Sequence, residues 1–239
     1  MPTSFIDLCN ITLRRLNEVE IDSSSFSSAR GVQALVKDAV RHSIAKINQS
    51  EYSWPFNGSE YTQTLVVGQE EYAWPTAHKV SDWNSFQLQE NSSFGISFTK
   101  LAFITLDQWL ESHRDTDDAA GASGRGVPQY VFPSHNGGWG VTPSPNQTYQ
   151  IRFRYFLSHT TLTLFSDQSR IPTQFDNIIA DGAMVQMYMF KDNPQSAQLS
   201  QAIFEQGIKQ MQTQLINQYE SIRDRRVVQG LNTEFFNNG

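Results

Sequence analysis

Among the ionisable side chains of this 239-residue sequence, His113, Asp115, Asp117 and Asp118 form a mixed group that could do chemistry. Alternating carboxylates suit a hard cation such as calcium, which is held by oxygen ligands. The calcium-loop pattern fails here, because its glycine and its distal glutamate do not stand at the required spacing. The stretch therefore reads as a solvated acidic loop. Just after it, Gly121-Ala-Ser-Gly124-Arg-Gly126 is glycine-rich. It lacks a Lys-Ser/Thr pair and neither follows a clear strand nor opens a helix, so phosphate binding is not indicated. His42, His78, His113, His135 and His159 are dispersed, with no paired zinc spacing. No serine sits in a nucleophile elbow. Glu70 and Glu71 would point to opposite faces of an extended chain. No catalytic residue, metal ligand or cofactor site is assigned.

The aromatic and cationic residues suggest contacts instead of reactions. Trp54, Trp74, Trp83, Trp109 and Trp139 fall on short strands and turns, where core packing is the default and a sugar-stacking platform the sharper alternative. Phe235 and Phe236 lie among Asn and Gly, with no local periodicity to bury them, and read as an anchor for another protein's groove. Arg223, Arg225 and Arg226 suit the negative end of a helix dipole and can also face an acidic partner.

Composition narrows the class. Net charge is −6, from 18 Lys+Arg against 24 Asp+Glu, and no basic run or face appears, which argues against nucleic-acid binding by bulk electrostatics. The single cysteine, Cys9, excludes an internal disulfide framework and a cysteine-based zinc site. There is no signal-peptide core and no run near the ~20 apolar residues that a membrane span needs, so a soluble chain made in a cytoplasm is expected.

The elements that must position these residues are helical at both ends. Ser4-x-x-Asp7 can cap a helix over 3–18 with Phe5, Leu8, Cys9, Thr12, Leu13 and Leu16 on one side. A second helix runs over 29–49, capped by Ser27 or Ser28. Pro172 and the pattern Thr173-x-x-Asp176 predict a third, with Phe175, Ile178, Ile179, Ala183, Met187 and Phe190 as its stripe. Asp192-Asn193-Pro194 breaks it, and Ser196 caps a fourth that reaches Arg226 with Phe204, Ile208, Met211, Leu215, Tyr219 and Ile222 inward. Between the pairs, short alternating runs bounded by Gly, Pro and Asn predict strands at 61–67, 71–75, 80–89, 96–100, 129–132, 139–142, 148–156 and 162–164. A short helix capped by Thr105 interrupts them, with Leu106, Trp109 and Leu110 inward, and 115–126 is a loop.

The fold expected is α+β. The N- and C-terminal helix pairs (1–56 and 171–226) form a four-helix bundle, 57–170 is an inserted antiparallel β-rich domain, and 227–239 is an extended C-terminal tail, disordered in a free monomer.

A series of landmarks in this order resembles a known family. Two N-terminal helices precede Glu71-Tyr72-Ala73-Trp74-Pro75 and a strand ending Phe86-Gln87-Leu88. Gly126-Val127-Pro128 then precedes an aromatic strand, Tyr149–Tyr155 follows, and Leu162-Thr163-Leu164 stands before Asp167. Ile171-Pro172 with Phe175-Asp176 opens the last helix pair. Together they resemble the head-to-tail adaptor (connector) proteins of tailed bacteriophages, of the short-tailed type. The resemblance implies a non-enzymatic virion protein of the neck, assembled in the host cytoplasm. It implies a homo-oligomeric ring, usually a dodecamer, docked beneath the portal protein. The tail would reach the portal, with Arg223, Arg225, Arg226, Leu231, Phe235 and Phe236 as partner-binding residues. The β block would face the tail nozzle, tail-tube protein or tail fibres, and double-stranded DNA would pass through the lumen without sequence-specific binding. A tail-tube or tail-completion subunit is the alternative within the particle, and a carbohydrate- or protein-binding β module the alternative outside it. An enzyme built on the dispersed His and carboxylates ranks third.

Overall fold

The computed structural model describes residues 3–92, 95–117 and 124–216, the side chains of 90–96 and of 116–117 excepted. Asp118, the first half of the glycine-rich stretch, Tyr219, Ile222, and the whole set Arg223, Arg225, Arg226, Leu231, Phe235 and Phe236 lie outside the described residues. The fold is α+β. It divides into two units, Gly58–Ser158 and the described residues on either side of it.

In the helical unit, α1 (Phe5–Arg15) starts as its sequence dictates. Ser4 and Asp7 form a reciprocal capping box, and Phe5, Leu8, Cys9, Thr12 and Leu13 are buried. Helix α2 (Val32–Ser50) starts three residues later than its periodicity suggests and without a side-chain cap. Gly31 occupies the cap position at φ 58°, a conformation open to glycine at no steric cost, so neither Ser27 nor Ser28 caps it. Helix α5 (Asp176–Phe190) also departs from expectation. A single 3-10 turn at Thr173–Phe175 precedes it, and Phe175 occupies its cap position without a side-chain bond. The Asp176 carboxylate instead accepts from the Thr3 hydroxyl across the unit. Helix α6 (Pro194–Leu215) is capped by Asn193, whose Oδ1 accepts from Ser196 N at 3.2 Å, with Pro194 in the first turn. The proline expected to break one helix thus opens the next, where its missing N–H costs nothing.

Helix α5 touches α1, α2 and α6, and it is apolar on several sides: Ile179, Ala180, Ala183, Met184, Val185 and Met187 are all buried. Gly182 permits the closest approach. A Cβ there would lie 2.3 Å from Ser43 Oγ on α2 and 2.6 Å from a Phe204 ring carbon on α6. Residues 159–170, expected to belong with the strands, group with the helices. The stretch 162–164 is not a strand. Leu162 is buried in the helical core, and its carbonyl accepts from Arg41 Nε at 2.7 Å.

The second unit holds two sheets. One runs β1 (Gly58–Thr64), β9 (Gln150–Leu157), β4 (Gln87–Ser92), β5 (Gly95–Lys100), with β3 (His78–Ser81) beside the far end of β9. The other runs β2 (Glu71–Tyr72), β8 (Trp139–Thr142), β7 (Tyr130–Pro133), β6 (Ala102–Phe103). The pairs are antiparallel except β6 with β7, which is parallel. Helices α3 (Leu106–Ser112) and α4 (Arg114–Asp117) lie in the connection between those two strands. The expected strand 80–89 is two strands, because Asp82 caps a 3-10 turn at Trp83–Ser85 between them. Strand β9 alternates as its sequence demands, with Tyr149 just before it and Ile151, Phe153 and Tyr155 buried. These residues share one core with Leu88 of the same sheet, with Phe86 just before β4, and with Tyr72, Val131, Trp139 and Val141 of the other sheet.

Candidate interaction surfaces

The residues that sequence reading screened for chemistry are not gathered into a reactive site. Among the described residues, no three His, Cys, Asp or Glu side chains come together as metal ligands. His113 lies against the Tyr130 ring at 5.3 Å, and Arg114–Asp117 is helical, so the acidic stretch opens as α4 instead of a loop. His135 Nδ1 lies 3.6 Å from Glu71, which also accepts from Asn136 Nδ2 at 2.8 Å on an exposed turn. His78 stacks on Trp74 at 4.2 Å and bonds Ser81 Oγ at 2.8 Å; burial pushes its pKa down. Cys9 is buried in the helical core, and burial pushes its thiol up to about 12, far from a nucleophile's range.

The tryptophans are committed to packing. Trp54, Trp109 and Trp139 are buried, Trp54 Nε1 donates to Ile47 O at 2.7 Å, and Trp109 stacks on Phe132 at 4.6 Å. Trp74 and Trp83 are half-buried and meet edge to face at 5.5 Å. None of the five is exposed, and Trp74 and Trp83 each stack one face on a neighbour, His78 and Phe86 respectively. Leu110, expected inward on α3, is 41% exposed, because that two-turn helix buries little beyond Trp109.

What stands out is apolar surface left open around the α5–α6 corner. Met189 and Phe190 on the last turn of α5 are 65% and 59% exposed, and Leu199 and Ile203 on α6 are 65% and 47% exposed. Phe190 was expected on the buried stripe. The helix ends there instead, its last turn closed by Lys191 N–H donating to Met187 O and Asp192 N–H to Met189 O, and the Phe190 ring stays open to solvent. Leu199 and Ile203 are four residues apart and so share a face of α6. That face differs from the one carrying Ala197, Phe204 and Met211, which are buried. On another side of α6 lies a groove of about 460 Å³ lined by Met189, Pro194, Ala197, Gln198, Gln201 and Ala202, among others. The sequence reading missed this second stripe because the interruptions by Gln and Ser hide it beside the stronger inward one. The Leu199–Ile203 spacing was the available signal.

In the strand unit the outward face of the first sheet is ionic. Glu60 on β1 is bonded by the Arg152 guanidinium of β9 and lies 3.6 Å from Arg154 Nε. The Arg152 bond, with Arg154 beside it, holds the Glu60 carboxyl below the usual carboxylate range.

An α+β chain with a packed helical unit and apolar side chains left exposed on α5 and α6 offers surface for contact with other chains. A family model described as the SU10 adaptor protein matches residues 3–229 of the 239, and the chain therefore belongs to the SU10 adaptor protein family. The resemblance to phage head-to-tail adaptors is thereby borne out, and the chain is a structural adaptor of a bacteriophage particle. No curated protein matches the chain.

Proposed function

We propose that the chain assembles into a homo-oligomeric ring, a dodecamer by its resemblance, that docks below the portal protein and forms part of the DNA conduit to the tail. The helices α1, α2, α5 and α6 act as a four-helix bundle made from both ends of the chain. The β-rich unit is the insertion that meets the tail nozzle or fibres. The segment from Val227 onward is the extended tail that reaches the portal, with Arg223, Arg225, Arg226, Leu231, Phe235 and Phe236 as its contacts. The observation that carries this reading is the apolar side chains left exposed on α5 and α6, Met189 and Phe190 on the one and Leu199 and Ile203 on the other, which neighbouring chains would cover. A net charge of −6 suits a conduit, because an acidic lumen repels the phosphate backbone and keeps DNA from sticking.

Deleting Val227–Gly239 tests the docking step. The truncated chain is expected to fold with an unchanged melting curve and to lose portal attachment. Normal incorporation of the truncated chain into particles overturns the role of that segment. Incorporation at the distal end of a tail tube would favour a tail-completion subunit.

A further inference from the structure

Both edges of the larger sheet are built like strands that expect a partner. Among the described residues β1 pairs with β9 alone, and β5 pairs with β4 alone. Natural edges are blunted by proline, by bulges, by short length or by charge, and the charges on these two edges, Glu60 and Lys100, are opposite in sign. Neither GSEYTQT of β1 nor GISFTK of β5 contains proline, and both registers run without a slip. The β4–β5 pair also runs past the rest of the sheet: Gln87–Gln89 pair with β9, while Glu90–Ser92 pair with β5 only.

The directions of the edges limit what can join them. Strand β1 is antiparallel to β9, β9 to β4, and β4 to β5, so β1 and β5 run opposite ways. A second copy placed alongside in the same orientation therefore offers its β1 to this β5 as an antiparallel neighbour. Repetition of that contact is heterologous, and it makes a ring where the rotation per copy closes and a filament where it does not. The faces agree as well. Lys100 and Phe98 lie on the outward face, in line with Gln87, Gln89 and Arg152, and Glu60 and Thr62 lie outward on β1. Lys100 opposite Glu60 then sets Phe98 opposite Thr62 and puts opposite charges across the joint.

We propose that β5 of each copy pairs with β1 of the next copy, Lys100 facing Glu60, so that the strand units of the assembly share one continuous sheet. This rests on the ring reading above and adds the surface through which neighbours meet.

Paired cysteines test it in the full-length chain. The exposed positions Thr62 and Phe98 are changed to cysteine, singly and together, and the protein is oxidised or treated with a short bis-maleimide, both purified and in assembled particles. Cys9 is buried, with its thiol pushed up to about 12, and stays silent. The double variant Thr62→Cys/Phe98→Cys is expected to give a ladder beyond the dimer on a denaturing gel, and each single variant to give monomer only. Rings without the ladder overturn the edge pairing and leave the ring reading standing. Dimers from a single variant overturn it in favour of a two-fold contact. A chain that is monomeric alone and absent from particles overturns both.

Discussion

The backbone N–H of Phe5, at the start of α1, donates to the carbonyl of Asp167 at 2.7 Å. The next residue, Ile6, donates to Phe165 O at 3.2 Å. Two of the orphan donors of the helix are thus satisfied by a turn far away in sequence. That turn is itself held by the Asp167 carboxylate, which accepts from Thr163 N at 2.6 Å and Leu164 N at 2.7 Å. The segment 162–168 is thereby a clasp between the two chain ends of the helical unit, with Leu162 as its buried plug.

The clasp predicts an acid-sensitive contribution to stability. The backbone N–H groups of Thr163 and Leu164 hold the Asp167 carboxyl below the usual carboxylate range. A depressed folded-state pKa stabilises fully above the unfolded value and is lost as pH falls through the folded value. Asp176 has the opposite sign, since burial raises it, and protonation on acidification relieves a cost. Asp167→Asn is expected to lower the melting temperature at neutral pH and to flatten its fall below the usual carboxylate pKa, as scanning calorimetry across pH will read. An unchanged acid limb would contradict the clasp.

Gly182→Ala is predicted to destabilise the helical unit by about 1–3 kcal/mol, because the added methyl has no room between Ser43 and Phe204. Gly207→Ala meets only Ile178, at 3.0 Å, and is expected to cost less. Urea midpoints of the two variants give the ranking.

Cys9 should be invisible to thiol reagents in the folded chain and fully reactive once the chain is unfolded. A thiol pushed up to about 12 and buried offers almost no thiolate at neutral pH. Chromogenic disulfide exchange in buffer and in denaturant measures the contrast.

Phe190→Ser and Leu199→Ser remove surface apolar groups that the isolated chain leaves open. Each is expected to change folding stability by no more than about 0.5 kcal/mol. Incorporation into particles, measured by immunoblot of purified virions, is expected to fall sharply. A core role would show the reverse, with lost stability and normal incorporation.

Much of this fold was legible where local chemistry decides. Ser4 with Asp7, Thr105 with Gln108, and the alternation of Ile151, Phe153 and Tyr155 each carry their own geometry within a few residues. It was less legible where distant residues decide. Asp176 has the spacing of a capping partner for Thr173, yet its carboxylate meets Thr3, from the other end of the chain. Leu162-Thr163-Leu164 alternates like a strand, yet the Asp167 side chain takes its N–H groups and leaves no ladder to form. Strand β6 is two residues long and pairs in parallel, which no local pattern encodes. For the contact surface, the Phe235–Phe236 pair is legible because no local periodicity would bury it. The exposure of Met189 and Phe190 is set by where α1, α2 and α6 pack on α5, which no local pattern encodes.

The most direct test of the adaptor account is electron microscopy of the purified full-length chain, alone and mixed with its portal. The account predicts closed rings seated coaxially beneath the portal, with the α5–α6 corner covered by a neighbouring chain. Monomers that never join the portal, with Phe190 and Leu199 still open to solvent, would contradict it.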